Sequence, residues 1–150
     1  MSHFKTTRKG IVVVFSPEER SFLADVLPLL AGVGETGDDP AATRLNVPVY
    51  LDDRDASDEW WRLMGDDLHT ARLSDRSVFL RTISGDAEPL NDEDANAVLR
   101  VLNEARIVLA ARVGLEVEDD HDKLPDDSRQ VLDYLGWVQE ELTLELSRSL

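Results

Sequence analysis

Between Asn91 and Gly114 the apolar residues Ala95, Val98, Leu99, Leu102, Ala105, Leu109 and Val113 recur at helical spacing. A strand would put alternate residues on one face, so this run reads as an α-helix with a single greasy side. Asn91-Asp92-Glu93-Asp94 supplies a cap and acids suited to a helix start, and Gly114 a terminator. Such a helix is stable only if its stripe is covered by another element.

The rest of the chain supplies the cover. Ser16-Pro17-Glu18-Glu19 offers a cap, a proline at the first helical position and an acid three residues after the cap. Phe22, Leu23, Val26, Leu27 and Leu30 then share a face. Pro28 predicts a kink or break, because its ring presses on the carbonyl of Ala24 and it has no N–H to give. Asp39-Pro40 opens a short helix through Arg44, and Asp52-Asp53 an acidic start. A longer helix follows from about Asp55 to about Leu73, with Trp60, Leu63, Met64, Leu68 and Ala71 as its stripe. Ser74 then caps a continuation through Val78, Phe79 and Ile83. A last helix from about Asp126 to Ser147 carries Val131, Leu132, Tyr134, Leu135, Val138, Leu142 and Leu146.

Before these helices, His3–Thr7 and Ile11–Phe15 flank a turn at Lys9-Gly10 and read as a β-hairpin within residues 1–15. The expected fold is mainly α: a bundle of about five to six helices with a small N-terminal hairpin, in one domain over residues 1–150.

The chain has no cysteine, which excludes disulfides, thiolate metal sites and cysteine nucleophiles. No apolar run reaches the length of an export signal or a membrane span, so a cytoplasmic protein without membrane contact is expected. Net charge is −15, yet the first seventeen residues hold Lys5, Arg8 and Lys9 and no acid. An acidic body repels phosphates, so nucleic acid is not expected as a partner. Arg72, Arg76 and Arg81 form a basic patch too modest, and too interrupted by acid, for a DNA-reading helix.

At about 100° per residue, Arg106 projects about 20° from the centre of its helix's stripe, and Asp67 about 20° from Trp60. Two charges aimed into a core predict a buried Asp67–Arg106 ion pair, with Glu145 as a second partner for Arg106. The pair is structural, and no catalytic residue is assigned. Asp119-Asp120-His121-Asp122 is the stretch most like a metal site, with Asp119, His121 and Asp122 as weak ligands, but it lacks the spacing of a calcium loop and reads first as a solvated acidic loop. Asp52, Asp53, Asp55, Asp58 and Glu59 read as the acids of a helix start. His69 points to solvent. Trp61, about 100° round from Trp60, is a candidate interaction anchor, as are Lys5, Arg8 and Lys9. No nucleophile elbow, metalloprotease, phosphate-loop or dinucleotide motif is present, and no cofactor is expected.

Several segments together carry a resemblance: Asp39-Pro40-Ala41, Arg44-Leu45, Val47-Pro48-Val49-Tyr50 with Asp52-Asp53, Arg62-Leu63, Asp67-Leu68 with Arg72, Leu102-Asn103-Glu104-Ala105-Arg106, Arg112-Val113-Gly114, and Val138-Gln139-Glu140-Glu141-Leu142. Over most of its length the chain resembles an actinobacterial family of uncharacterised proteins, a domain of unknown function. The resemblance implies a cytoplasmic helical protein. It implies genes commonly beside that of the ClpS adaptor of the Clp protease, and near a Mov34-type metallohydrolase and a sulfur carrier of cysteine synthesis. Some relatives carry the label of transcriptional regulator. The family supplies no functional residues, and the Trp60-Trp61 pair departs from its usual pattern. The expected function is a non-catalytic interaction or regulatory protein with a protein partner, linked to Clp proteolysis or to sulfur and cysteine metabolism. The alternatives are a metal-dependent enzyme using acidic residues and a transcriptional regulator. Nothing in the sequence sets an oligomeric state.

Overall fold

Ser16 opens the helical part of the chain as its neighbours require. Its hydroxyl accepts the Glu19 N–H at 3.1 Å, and Glu19 Oε1 accepts the Ser16 N–H at 3.2 Å, a complete capping box with Pro17 at the first position. The chain is seen here as a computed structural model, which describes residues 3–33, 40–46, 50, 52–85, 88–112 and 126–148.

Among the described residues two strands, β1 (Phe4–Thr7) and β2 (Gly10–Val13), precede six helices. These are α1 (Pro17–Ala24), α2 (Val26–Ala31), α3 (Pro40–Leu45), α4 (Arg54–Ile83), α5 (Asp92–Arg112) and α6 (Asp126–Arg148). The mainly helical architecture with a small antiparallel hairpin follows the expectation. Pro28 breaks the first helical segment at Asp25, one turn upstream, where its missing N–H and its ring deny Ala24 a partner. The Asp25 N–H turns instead to the Phe22 carbonyl at 3.2 Å.

The hairpin pairs Phe4 with Val13 and Thr7 with Gly10. Ile11 and Leu90 exchange both backbone hydrogen bonds at 2.8 Å, so the segment entering α5 adds a bridge to the edge of β2. Gly10 is necessary there: its φ is +129°, and a Cβ would strike the Leu90 carbonyl.

One expectation is corrected outright. Ser74 does not cap a second helix; α4 runs unbroken for 30 residues, and Asp53 caps its start by accepting the Ala56 N–H at 3.0 Å. A helix of that length spans about 45 Å.

α5 is the central element. Ala95, Ala97, Val98, Val101, Leu102, Ala105, Val108 and Ala111 are buried along it. Its alanines let α3, α4 and α6 approach closely, and Ala41 and Ala42 of α3 are fully buried. Leu132, Leu135, Val138 and Leu142 of α6 complete the core with Phe4, Ile11, Leu23, Leu30 and Phe79. Each such large side chain contributes about 1.5–3 kcal/mol by leaving water. No helix among the described residues is long and apolar enough to cross a membrane.

Candidate functional site

His3, just ahead of β1, is almost fully buried among Phe4, Phe15, Tyr134 and Trp137, whose rings lie 4.9–6.5 Å from its own. Its Nε2 lies 2.5 Å from Glu19 Oε2 of α1, and its Nδ1 2.6 Å from Glu141 Oε2 of α6. The arrangement is fully satisfied when both ring nitrogens carry protons and donate in opposite directions. Tyr134 donates its hydroxyl to the same Glu19 oxygen at 2.7 Å. Glu19 thus caps its own helix with one oxygen and gathers His3 and Tyr134 with the other. Burial raises the Glu19 pKa, but the hydrogen bonds from Tyr134, the Ser16 N–H and His3 outweigh it and hold the carboxyl below its ordinary value. Burial and the bond to Glu19 push the Tyr134 hydroxyl well above the usual tyrosine range. Because the two carboxylates sit on opposite edges of the ring, they do not converge on a common point. The arrangement fastens the hairpin to α1 and α6. A groove of about 400 Å³ opens beside it, lined by Glu18, Glu19, Phe22, Gln130, Val131 and Tyr134.

A second fastening uses the next acid on α6. Glu145 is buried and accepts the Thr6 N–H at 3.1 Å and the Thr6 hydroxyl at 2.6 Å. Arg148 closes on its other oxygen at 2.7 Å.

Between α4 and α5 lies a layer of charge. Glu104 stands between Arg72 and Arg76, at 3.5 and 3.6 Å. Arg72 also reaches across to α3, donating to Asn46 Oδ1 at 2.8 Å and the Leu45 carbonyl at 3.2 Å. Arg100 binds Asp75 through two bonds of 2.8 Å, and Arg81 meets Asp94 at 3.1 Å. The sequence patch of Arg72, Arg76 and Arg81 is therefore spent on acids of the same chain.

The first half of α4 presents a different surface. Leu63 is 60% exposed and Met64 42% exposed. Trp60 packs edge-to-face on Trp61, ring centres 4.9 Å apart, and both are half-buried. The buried side of the helix is marked by Ser57, whose hydroxyl bonds both the N–H and the carbonyl of Tyr50 at 2.8 Å, and by Phe79 and Ile83. At about 100° per residue that side centres near Trp61, so Leu63 points away from it, Trp60 stands at its flank about 100° round, and Met64 sits on its border about 60° round.

A family model described as a domain of unknown function, DUF2017, matches residues 1–146. The chain belongs to the DUF2017 family. No curated protein and no solved structure matches it. The DUF2017 match reaches from β1 into α6 and so contains both fastenings of the hairpin.

In this DUF2017 chain the expected Asp67–Arg106 pair does not form. Both residues are exposed, and Arg106 instead donates to Gln139 Oε1 at 3.0 Å, over Gly136 of α6. The error lies in the stripe centres. The small residues Ala97, Val101 and Val108 widen and rotate the buried side of α5, leaving Arg106 about 110° from its middle. Asp67 stands about as far from the packed side of α4. Glu145, the second partner considered, serves Thr6 and Arg148. Trp61 lies nearer the packed side than the open one. Lys5, Arg8 and Lys9 are exposed on the hairpin, and His69 is exposed as expected. Asp52, Asp53, Asp55, Asp58 and Glu59 are exposed at the start of α4. Asp119, His121 and Asp122 lie outside the described residues. Among the described residues no group of three or more histidines and acids is arranged to hold a metal.

His3 is the residue that sequence reasoning missed. Its signal was indirect: Tyr134 and Glu141 share one face of α6 two turns apart, with Glu145 one turn further, so a row of polar groups borders an apolar stripe.

Proposed function

We propose that this protein is a non-catalytic interaction or regulatory protein that holds a protein partner on the outward face of α4. One observation carries the reading. Leu63 and Met64 stand more than two-fifths exposed side by side on a long helix whose other side is packed. Exposed large apolar groups clustered on one helix face favour association, because covering them removes apolar surface from water. Trp60 adds an aromatic anchor of the kind that concentrates binding energy. Trp61 supports it from the packed side, and the exposed Lys5, Arg8 and Lys9 form a second contact surface of the same reading.

The setting follows the family resemblance: a single cytoplasmic domain acting in Clp proteolysis or in sulfur and cysteine metabolism. The enzyme and transcription-regulator readings draw less support. Asp53 is engaged as a helix cap, and the central arginines are engaged with Glu104 and Asp94.

The test is a paired capture experiment from cell extract, with the wild-type chain and a Leu63→Asp/Met64→Asp variant whose helicity is verified. A protein retained by the first and lost by the second supports the proposal. Identical captured sets overturn it.

A further inference from the structure

The border of the α4 face indicates the chemistry of its occupant. At about 100° per residue, Ala56, Trp60, Leu63, Met64, Asp67 and Ala71 fall within a sector about 100° wide. From Ala56 to Ala71 this ledge is about 22 Å long, the length of four helical turns. A straight ledge of that length, apolar except for Asp67, suits the amphipathic face of one further helix.

Charge narrows the choice. On one side the ledge is bordered by Asp55, Glu59 and Asp66, all exposed, and Asp67 stands within it. Arg62, the cation nearest that border, is bound to Glu59 through contacts of 2.5 and 2.9 Å. A second copy of this chain would bring a net charge of −15 against −15, with the same acidic border. A cationic helix gains where a second copy loses. Resting on the proposed interaction role of this face, we infer that its occupant is a basic amphipathic helix of another protein. Its apolar side covers Leu63 and Met64, and its lysines or arginines meet Asp55, Asp66 and Asp67.

The test uses a labelled synthetic helix of leucine and lysine in amphipathic register, and a counterpart with glutamate in place of lysine. Each is titrated against the full chain by fluorescence anisotropy. The lysine helix should bind the wild-type chain, and the glutamate helix should not. Binding should weaken about ten-fold or more for Leu63→Asp/Met64→Asp, because the apolar anchors are lost. That result is diagnostic, since two added acids would strengthen a purely electrostatic attraction. Asp55→Asn/Asp66→Asn/Asp67→Asn should also weaken it and flatten its salt dependence. Equal or tighter lysine-helix binding to the Leu63→Asp/Met64→Asp variant overturns the inference. So does sedimentation showing a wild-type dimer that this variant makes monomeric. If the lysine helix fails to bind while the capture experiment still yields a partner lost with Leu63 and Met64, the interaction role stands and the basic-helix assignment falls.

Discussion

His3 Nε2 lies 2.5 Å from Glu19 Oε2, joining the residue ahead of the first strand to the third position of the first helix. The ring is buried and Glu19 partly so, and Glu141 flanks the ring from the other side at 2.6 Å. Removing the ring takes a short contact from each of two carboxylates. His3→Ala should therefore destabilise the protein by about 1–3 kcal/mol, measured by urea unfolding. Amide exchange should rise in β1 and β2 ahead of α5. A change within error would refute the fastening role.

Tyr134 tests the same carboxylate from the groove. Tyr134→Phe keeps the ring against Phe22 and deletes one donor to Glu19. The expected loss is about 1 kcal/mol. In the wild-type chain, spectrophotometric titration should show Tyr134 ionising well above the normal tyrosine range, owing to its burial and its bond to Glu19.

Acid and near-neutral pH should act in opposite directions. The Thr6 hydroxyl, with the Thr6 N–H and Arg148, holds Glu145 below its ordinary value of 4.5 against the cost of burial. Glu19 is likewise held low. Both carboxyls bind protons less readily folded than unfolded, so their stabilisation is present above 4.5 and is lost as pH falls through their lowered folded values. Thr6→Val should shrink that loss.

Glu104 has the reverse sign. Burial raises its pKa above 4.5 despite the attraction of Arg72 and Arg76. Its ionised form costs stability at neutral pH, and that cost fades as pH falls through the raised value. Stability should therefore gain a component as pH falls from neutral toward 4.5, measured by denaturant midpoints across pH, and Glu104→Gln should abolish it. A pH profile identical in the wild type and Glu104→Gln would contradict this assignment.

Asp67→Ala and Arg106→Ala should each change stability by no more than about 0.5 kcal/mol, as exposed positions do. The buried pair expected from the sequence would have cost several times more on losing a member.

That contrast shows what the sequence made legible. Element type and order followed from caps and spacing: Ser16, Asp53 and Asn91 all cap helices, and the α6 stripe of Leu132, Leu135, Val138 and Leu142 is buried. Facing was harder. Periodicity weights large apolar residues, so Trp60, Leu63 and Met64 drew the inferred centre of α4 toward the side that stays open. On α5, alanines carried too little weight, although they are what let neighbouring helices approach. The contacts of His3 were beyond sequence patterns, because its partners come from distant segments.

Glu141 follows His3 by 138 positions. On a ribosome, the hairpin emerges long before Glu141 and Glu145. The hairpin's contacts with α6 must therefore wait until α6 has been synthesised, whereas those with Glu19 and Leu90 need not. Nascent chains stalled before α6 should leave His3 and the Phe4 side of the hairpin open to solvent, a vulnerable interval before the ends of the matched domain are sewn together.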